Sequence, residues 1–148
     1  MKATTLYALQ RRDYLALCMG SLVAPLAAQA EVLNIKEPQL RAMQLRPDGI
    51  VMDLPNVADS SASVPLQVTI QPPAGLLVEM VDVYVPENPL TLALKLRLPD
   101  AAPRFAFATR LRLAGSQRVW VVATLSDGSV RGTSAAIEVI SSSCFDAS

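Results

Sequence analysis

From residue 50 onward the sequence alternates between apolar and polar positions. Val64, Leu66, Val68 and Ile70 fall on every second position. So do Leu92, Leu94, Leu96 and Leu98, with Ala93, Lys95 and Arg97 between them, and then Phe105, Phe107, Thr109, Leu111 and Leu113. A period of two sends successive side chains to opposite faces of an extended chain, so each run predicts a strand with one buried face. Residues 50–54, 78–85, 118–125 and 130–140 bring the number of runs to seven. Turn residues separate them: Pro72-Pro73-Ala74-Gly75, Pro86-Glu87-Asn88-Pro89, the stretch from Pro99 to Pro103, and Asp127-Gly128, a strong hairpin signal.

Seven short strands without a βαβ alternation predict an all-β fold, an immunoglobulin-like antiparallel β-sandwich over residues 48–140. Leu94, Leu96, Phe107, Leu111 and Val121 are expected among its buried residues. Trp120, opposite in direction to Val119 and Val121, is also expected to be a core residue. Pro65 stands near a strand start, where a missing N–H is tolerated. Ahead of the sandwich, residues 31–47 form a lead-in. Glu37-Pro38 is a candidate helix start there, and Leu40, Met43 and Leu45 make a weak apolar stripe.

The polar positions of two runs suggest a surface. If the strands on either side of Pro99–Pro103 pair as a hairpin, Lys95, Arg97, Arg110 and Arg112 project from one sheet face. Four cations there favour anionic neighbours, either Asp82 or the carboxylates of a partner. The set is a candidate anion- or partner-binding surface, and its plain alternative is a solvated outer face.

The first 30 residues read differently. Lys2, Arg11 and Arg12 are positive, residues 15–28 are apolar and small, and Ala28-Gln29-Ala30 has the small-x-small form that signal peptidase cuts. The run is too short, and interrupted by Pro25, for a membrane anchor. Arg11-Arg12-Asp13-Tyr14-Leu15 resembles a twin-arginine export signal. A mature chain starting at Glu31 in the periplasm is expected, with Cys18 discarded.

Composition narrows the chemistry. Taking Lys2, Arg11, Arg12 and Asp13 out of a chain with 13 basic and 13 acidic residues leaves a net charge near −2, which gives no reason to expect nucleic-acid binding. The chain contains no histidine, so the usual base near neutral pH and the commonest metal ligand are both missing. Cys144 is the only cysteine after residue 30, so no intramolecular disulfide or zinc cluster can form. It lies in residues 141–148, expected to be a flexible C-terminal arm. No catalytic group, metal or cofactor is expected.

Several segments carry a family resemblance. They are Ile50-Val51-Met52-Asp53-Leu54-Pro55 with Val64-Pro65-Leu66-Gln67-Val68, then Val85-Pro86-Glu87-Asn88-Pro89. Ala108-Thr109-Arg110-Leu111-Arg112-Leu113 and Leu125-Ser126-Asp127-Gly128 follow. In order and spacing they resemble the SoxY family, the sulfur-compound carrier subunits of the periplasmic thiosulfate-oxidising system. The resemblance implies a heterodimer with a SoxZ-like β-sandwich subunit. It also implies a carrier cysteine on a Gly-Gly-Cys-Gly-Gly arm, visited by the periplasmic enzymes of that system, which maps onto Cys144. Ser142, Ser143, Phe145 and Asp146 stand where the family has glycines. Glycine has no Cβ and threads narrow channels, whereas Phe145 is bulky and Asp146 puts negative charge near the sulfur. The expected function is a carrier subunit without catalysis of its own. The alternative is a diverged scaffold that keeps the partner and no longer carries sulfur.

Overall fold

The computed structural model describes residues 35–140. Eight strands follow one short helix: α1 (Glu37–Ala42), β1 (Ile50–Asp53), β2 (Val57–Ala58), β3 (Val64–Ile70), β4 (Val78–Tyr84), β5 (Leu92–Ala102), β6 (Phe105–Leu111), β7 (Gln117–Leu125) and β8 (Val130–Val139). They make two sheets, a small one of order β1-β3-β6 and a large one of order β2-β8-β7-β4-β5. This is the all-β sandwich that the alternation predicts. The one strand without a predicted counterpart is β2, two residues pairing in parallel with the end of β8. A dipeptide is too short to show a period of two.

The inner faces are made by the alternating positions. Val64, Leu66, Val68 and Ile70 of β3 meet Val81 and Val83 of β4 and Val119, Val121, Ala123 and Leu125 of β7, all buried. Burying such side chains contributes on the order of 1.5–3 kcal/mol each before chain entropy is counted. Leu111 and Val121 are buried as expected, whereas Leu94, Leu96 and Phe107 are only partly buried. The reason is position: β5 and β6 are the last strands of their sheets, so their inward side chains lie at the rim of the core.

Two predicted features of β5 change. The strand runs through Pro99 to Ala102 instead of stopping there. An edge strand has one unpartnered side, so a proline costs it no ladder bond when it faces outward. A bulge also shifts the β4–β5 register between Val83 and Tyr84. Beyond the bulge Leu92 turns away from Leu94 and Leu96 and joins a second cluster.

That cluster lies on the outer face of the large sheet. Trp120, Val122 and Tyr84 are buried there beneath Leu40 of α1, with Ile35, Leu45, Leu92 and Val130 packed around them. Trp120 is thus a core residue, but of this smaller core. The segment 35–46 acts as a strap. Lys36 N–H donates to Gln39 Oε1 (2.9 Å) at the start of α1, and Glu37 pairs with Arg41 one turn on at 2.6 Å. At its far end Gly132 N–H donates to the Arg46 carbonyl (2.8 Å). The strap closes one outer face of the sandwich; the outer face of the small sheet has no such cover among the described residues.

Candidate functional site

The four cations do not share a face. β5 pairs with β4 and β6 pairs with β3, in different sheets, so the chain between them crosses the sandwich and makes no hairpin. Lys95 and Arg97 point outward from the large sheet, and Arg110 points outward from the small one. The proline-rich crossing explains the difference, because alternation on each strand says which face is buried but not which sheet the strand joins. Arg110 donates from Nη1 to Ser63 Oγ (3.2 Å), and the Arg112 carbonyl accepts from Asn88 Nδ2 (2.8 Å).

Lys95 does meet the anion named for it. Its Nζ stands 3.7 Å from Asp82 Oδ1, directly across the β4–β5 ladder. That distance is an ion pair without a hydrogen bond. Asp82 is only 5% exposed, and Tyr84 Oη donates to its other oxygen at 3.4 Å. Burial raises the Asp82 pKa, and the Lys95 charge and the Tyr84 hydroxyl work the other way. The Tyr84 hydroxyl is pushed up to about 12, first by burial and then by the neighbouring carboxylate. Asp82 Oδ1 and Trp120 Nε1 are both buried without a hydrogen-bond partner. Such orphaned groups cost stability, and here they lie on the face that the strap covers.

A second arrangement was not visible in the residue pattern. Asn88 Oδ1 accepts from Ala114 N–H (2.8 Å) and from Gln117 Nε2 (2.9 Å). Gln117 Oε1 in turn accepts from Glu87 N–H (3.1 Å). The half-buried Asn88 amide and the buried Gln117 amide therefore tie the loop after β4 to the loop before β7. Ser116 Oγ accepts from Val139 N–H (2.9 Å), fixing the last residue of β8 to the same loop. Ile140 N–H donates to the Ala58 carbonyl (3.0 Å). This end of the sandwich is where the chain leaves toward Cys144. An asparagine between two prolines was the available signal, but it reads first as a turn.

Among the described residues no three of His, Cys, Asp and Glu gather as a metal site, and no helix is long and apolar enough to cross a membrane. An open hollow of about 430 Å³ lies beside Arg97 and Glu79, whose opposite charges favour no single ion.

A family model described as sulfur oxidation protein SoxY matches residues 38–144. The chain belongs to the SoxY family. Among solved structures, the sulfur carrier protein SoxY from Chlorobium limicola f thiosulfatophilum shares the fold. Its TM-score is 0.56 at 18% identity, over 64% of this chain and 78% of that one. A superoxide reductase (neelaredoxin) from Ignicoccus hospitalis superposes with a TM-score of 0.47 at 11% identity, over 74% of this chain and 97% of that one. Among curated proteins none matches the sequence.

Within the SoxY frame, the segment Val85-Pro86-Glu87-Asn88-Pro89 is the loop held by Asn88, and Ala108–Leu113 contains the end of β6. The match runs to Cys144 itself. Cys144, the C-terminal arm expected over residues 141–148 and the export signal expected over residues 1–30 lie outside the described residues.

Proposed function

We propose that the chain is the carrier subunit of a periplasmic sulfur-oxidation complex, exported by its twin-arginine-like signal and paired with a SoxZ-like β-sandwich. In this reading Cys144 holds the sulfur cargo covalently while partner enzymes act on it. The observation that carries the reading is the extent of the family match, which continues past β8 to the one cysteine of the mature chain. Joining a thiolate to a reduced sulfur species forms an S–S bond and releases two electrons, so the loading step needs an oxidising enzyme as partner. The chain has no histidine to activate its own thiol, which suits a carrier better than an enzyme.

Intact-mass measurement of the protein from cells grown on reduced sulfur compounds tests the proposal. An added mass that is lost on reduction and absent from Cys144→Ser supports the carrier. The second reading, a scaffold that keeps its partner without carrying sulfur, is favoured by Ser142, Ser143, Phe145 and Asp146 in place of glycines. An unmodified chain with full function in Cys144→Ser establishes that reading instead. Cys144 is expected to react with a thiol reagent more slowly at neutral pH than a variant with glycine at 142, 143, 145 and 146.

A further inference from the structure

One side of the sandwich, where β5 and β6 end the two sheets, is unfinished in two respects. β5 pairs with β4 alone, so from Leu92 to Arg97 its outer row of backbone N–H and C=O groups has no partner strand among the described residues. Leu94 and Leu96 of β5 and Phe105 and Phe107 of β6 pack on the core yet stay half-buried. No described strand closes the seam between the two edges beside them.

The charges are sorted across this edge. Residues 92–112 hold Lys95, Arg97, Arg104, Arg110 and Arg112 against the single acid Asp100, in a chain whose full count is neutral. All five cations are exposed. The acids that answer Lys95 and Arg97 lie one strand further in, on β4. Asp82 is opposite Lys95, and Glu79 lines the hollow beside Arg97. The order across the ladder is acid on β4 and cation on β5, so an incoming strand meets the cations first.

This order selects among occupants. A strand laid antiparallel along β5 turns the residues opposite Leu94 and Leu96 inward over the seam, and those opposite Lys95 and Arg97 outward. Apolar residues at the inward positions close the seam. Carboxylates at the outward ones continue the alternation of charge from strand to strand. A second β5 fits poorly: pairing about Leu96 sets Lys95 of each copy against Arg97 of the other. Edge cations of this kind guard a sheet against its own copies, and a basic strand is repelled in the same way.

We propose that the β5 edge is a strand-addition site for a different protein, whose acidic strand alternates apolar residues with Asp or Glu and extends the large sheet. The proposal rests on the edge alone and holds whether or not Cys144 carries sulfur.

The test uses the mature chain with Cys144→Ser and a backbone-cyclised β-hairpin whose free strand alternates valine and glutamate. Cyclisation removes much of the ordering cost of binding. Titration followed by NMR is expected to shift the amides of residues 92–98 and 105–107, and hydrogen exchange is expected to slow at residues 92–97. The same hairpin with lysine for glutamate is expected to bind about tenfold more weakly, because each cross-strand pair changes sign. N-methylation of the outward amides of the glutamate hairpin is expected to abolish binding, whereas a purely ionic contact survives it. Arg97→Glu is expected to weaken the glutamate hairpin about fivefold and to strengthen the lysine one by a similar factor. Arg97 is exposed, so the variant's melting temperature is expected to match the parent's. No binding at the solubility limit of the hairpin overturns the proposal. So does equal binding of the two hairpins, unchanged binding after N-methylation, or shifts centred on another strand. A DNA oligonucleotide that displaces the hairpin with the same dependence on Arg97 makes the edge a general polyanion surface and overturns it. Concentration-dependent protection of residues 92–97 without any hairpin assigns the edge to a second copy and overturns it too.

Discussion

Gly132 lies directly beneath Leu45. A Cβ on this glycine comes within 2.6 Å of the leucine Cδ1 and 3.0 Å of the Val121 carbonyl oxygen. The missing side chain is what lets the strap descend onto β8, where the Arg46 carbonyl takes the Gly132 N–H. Gly132→Ala is expected to lift the strap and destabilise the fold by about 1–3 kcal/mol, the usual cost of overpacking. Urea denaturation measures it. Adding Leu45→Ala is expected to recover part of the loss, and strictly additive losses in the double variant count against this packing.

The ion pair between Asp82 and Lys95 gives a pH dependence. The Asp82 pKa is raised above its ordinary value of 3.8, so the folded chain binds that proton more readily than the unfolded one. The sign follows by linkage: the Asp82 contribution falls as pH rises from near 3.8 through its folded pKa, and is level on either side. The difference in stability between the parent and Asp82→Asn, measured from pH 4 to pH 8, is expected to show that slope. Lys95→Met removes the charge that opposes the shift. It is expected to cost about 1–3 kcal/mol at pH 7, by leaving a buried carboxylate without its cation, and less at pH 4. A pH-independent difference for both variants rules out a strained Asp82.

Asn88 is expected to control the loops at the arm-bearing end. Asn88→Ala removes three hydrogen bonds and leaves the Gln117 amide short of a partner, a loss of about 2–3 kcal/mol. Hydrogen exchange is the more specific readout. Protection is expected to fall in residues 86–90 and 112–117 while β3 and the centre of β7 keep theirs. A uniform loss along the chain argues instead for general destabilisation.

Phe107 contributes less than a central core residue. Its ring packs against Phe105 with centroids 5.8 Å apart, at the rim of the core. Phe107→Ala is expected to cost about 2 kcal/mol, below the 3–5 kcal/mol typical of a fully buried phenylalanine. Leu66→Ala, at the centre of the small sheet and fully buried, is expected to cost more, about 2–5 kcal/mol. Chemical denaturation of the pair checks the order.

Alternation made much of the sandwich legible before the structure. Each of the seven runs became a strand, because a period of two is imposed by a half-buried sheet and is hard to produce otherwise. What alternation cannot encode is the partner of each strand. Lys95 and Arg97 share a pattern with Arg110 and Arg112, yet the chain between them passes from one sheet to the other. Leu92 likewise obeys the alternation and still faces away from Leu94, because a bulge adds a residue where the sequence shows no sign of one. The Asn88–Gln117 tie joins residues 29 apart through short polar side chains, which no local pattern records. The strap is similar: Leu40 and Leu45 show as a weak stripe, but nothing near them says that Trp120 and Tyr84 lie beneath.

The bond from Val139 to Ser116 makes the root of the arm a fixed point. Cys144 is four residues beyond Ile140, and four residues span at most about 14 Å even when fully extended. In the carrier reading proposed above, an enzyme that works on the Cys144 sulfur must bring its reacting atoms within about that radius of Ile140. A buried active site meets that limit only if its mouth closes over the end of the sandwich. Leu90, on the Asn88-tied loop, is 75% exposed at that end, and so is Ile140 itself at 69%. In that reading the length of the tether sets a docking distance, and successive enzymes take turns at one landing place.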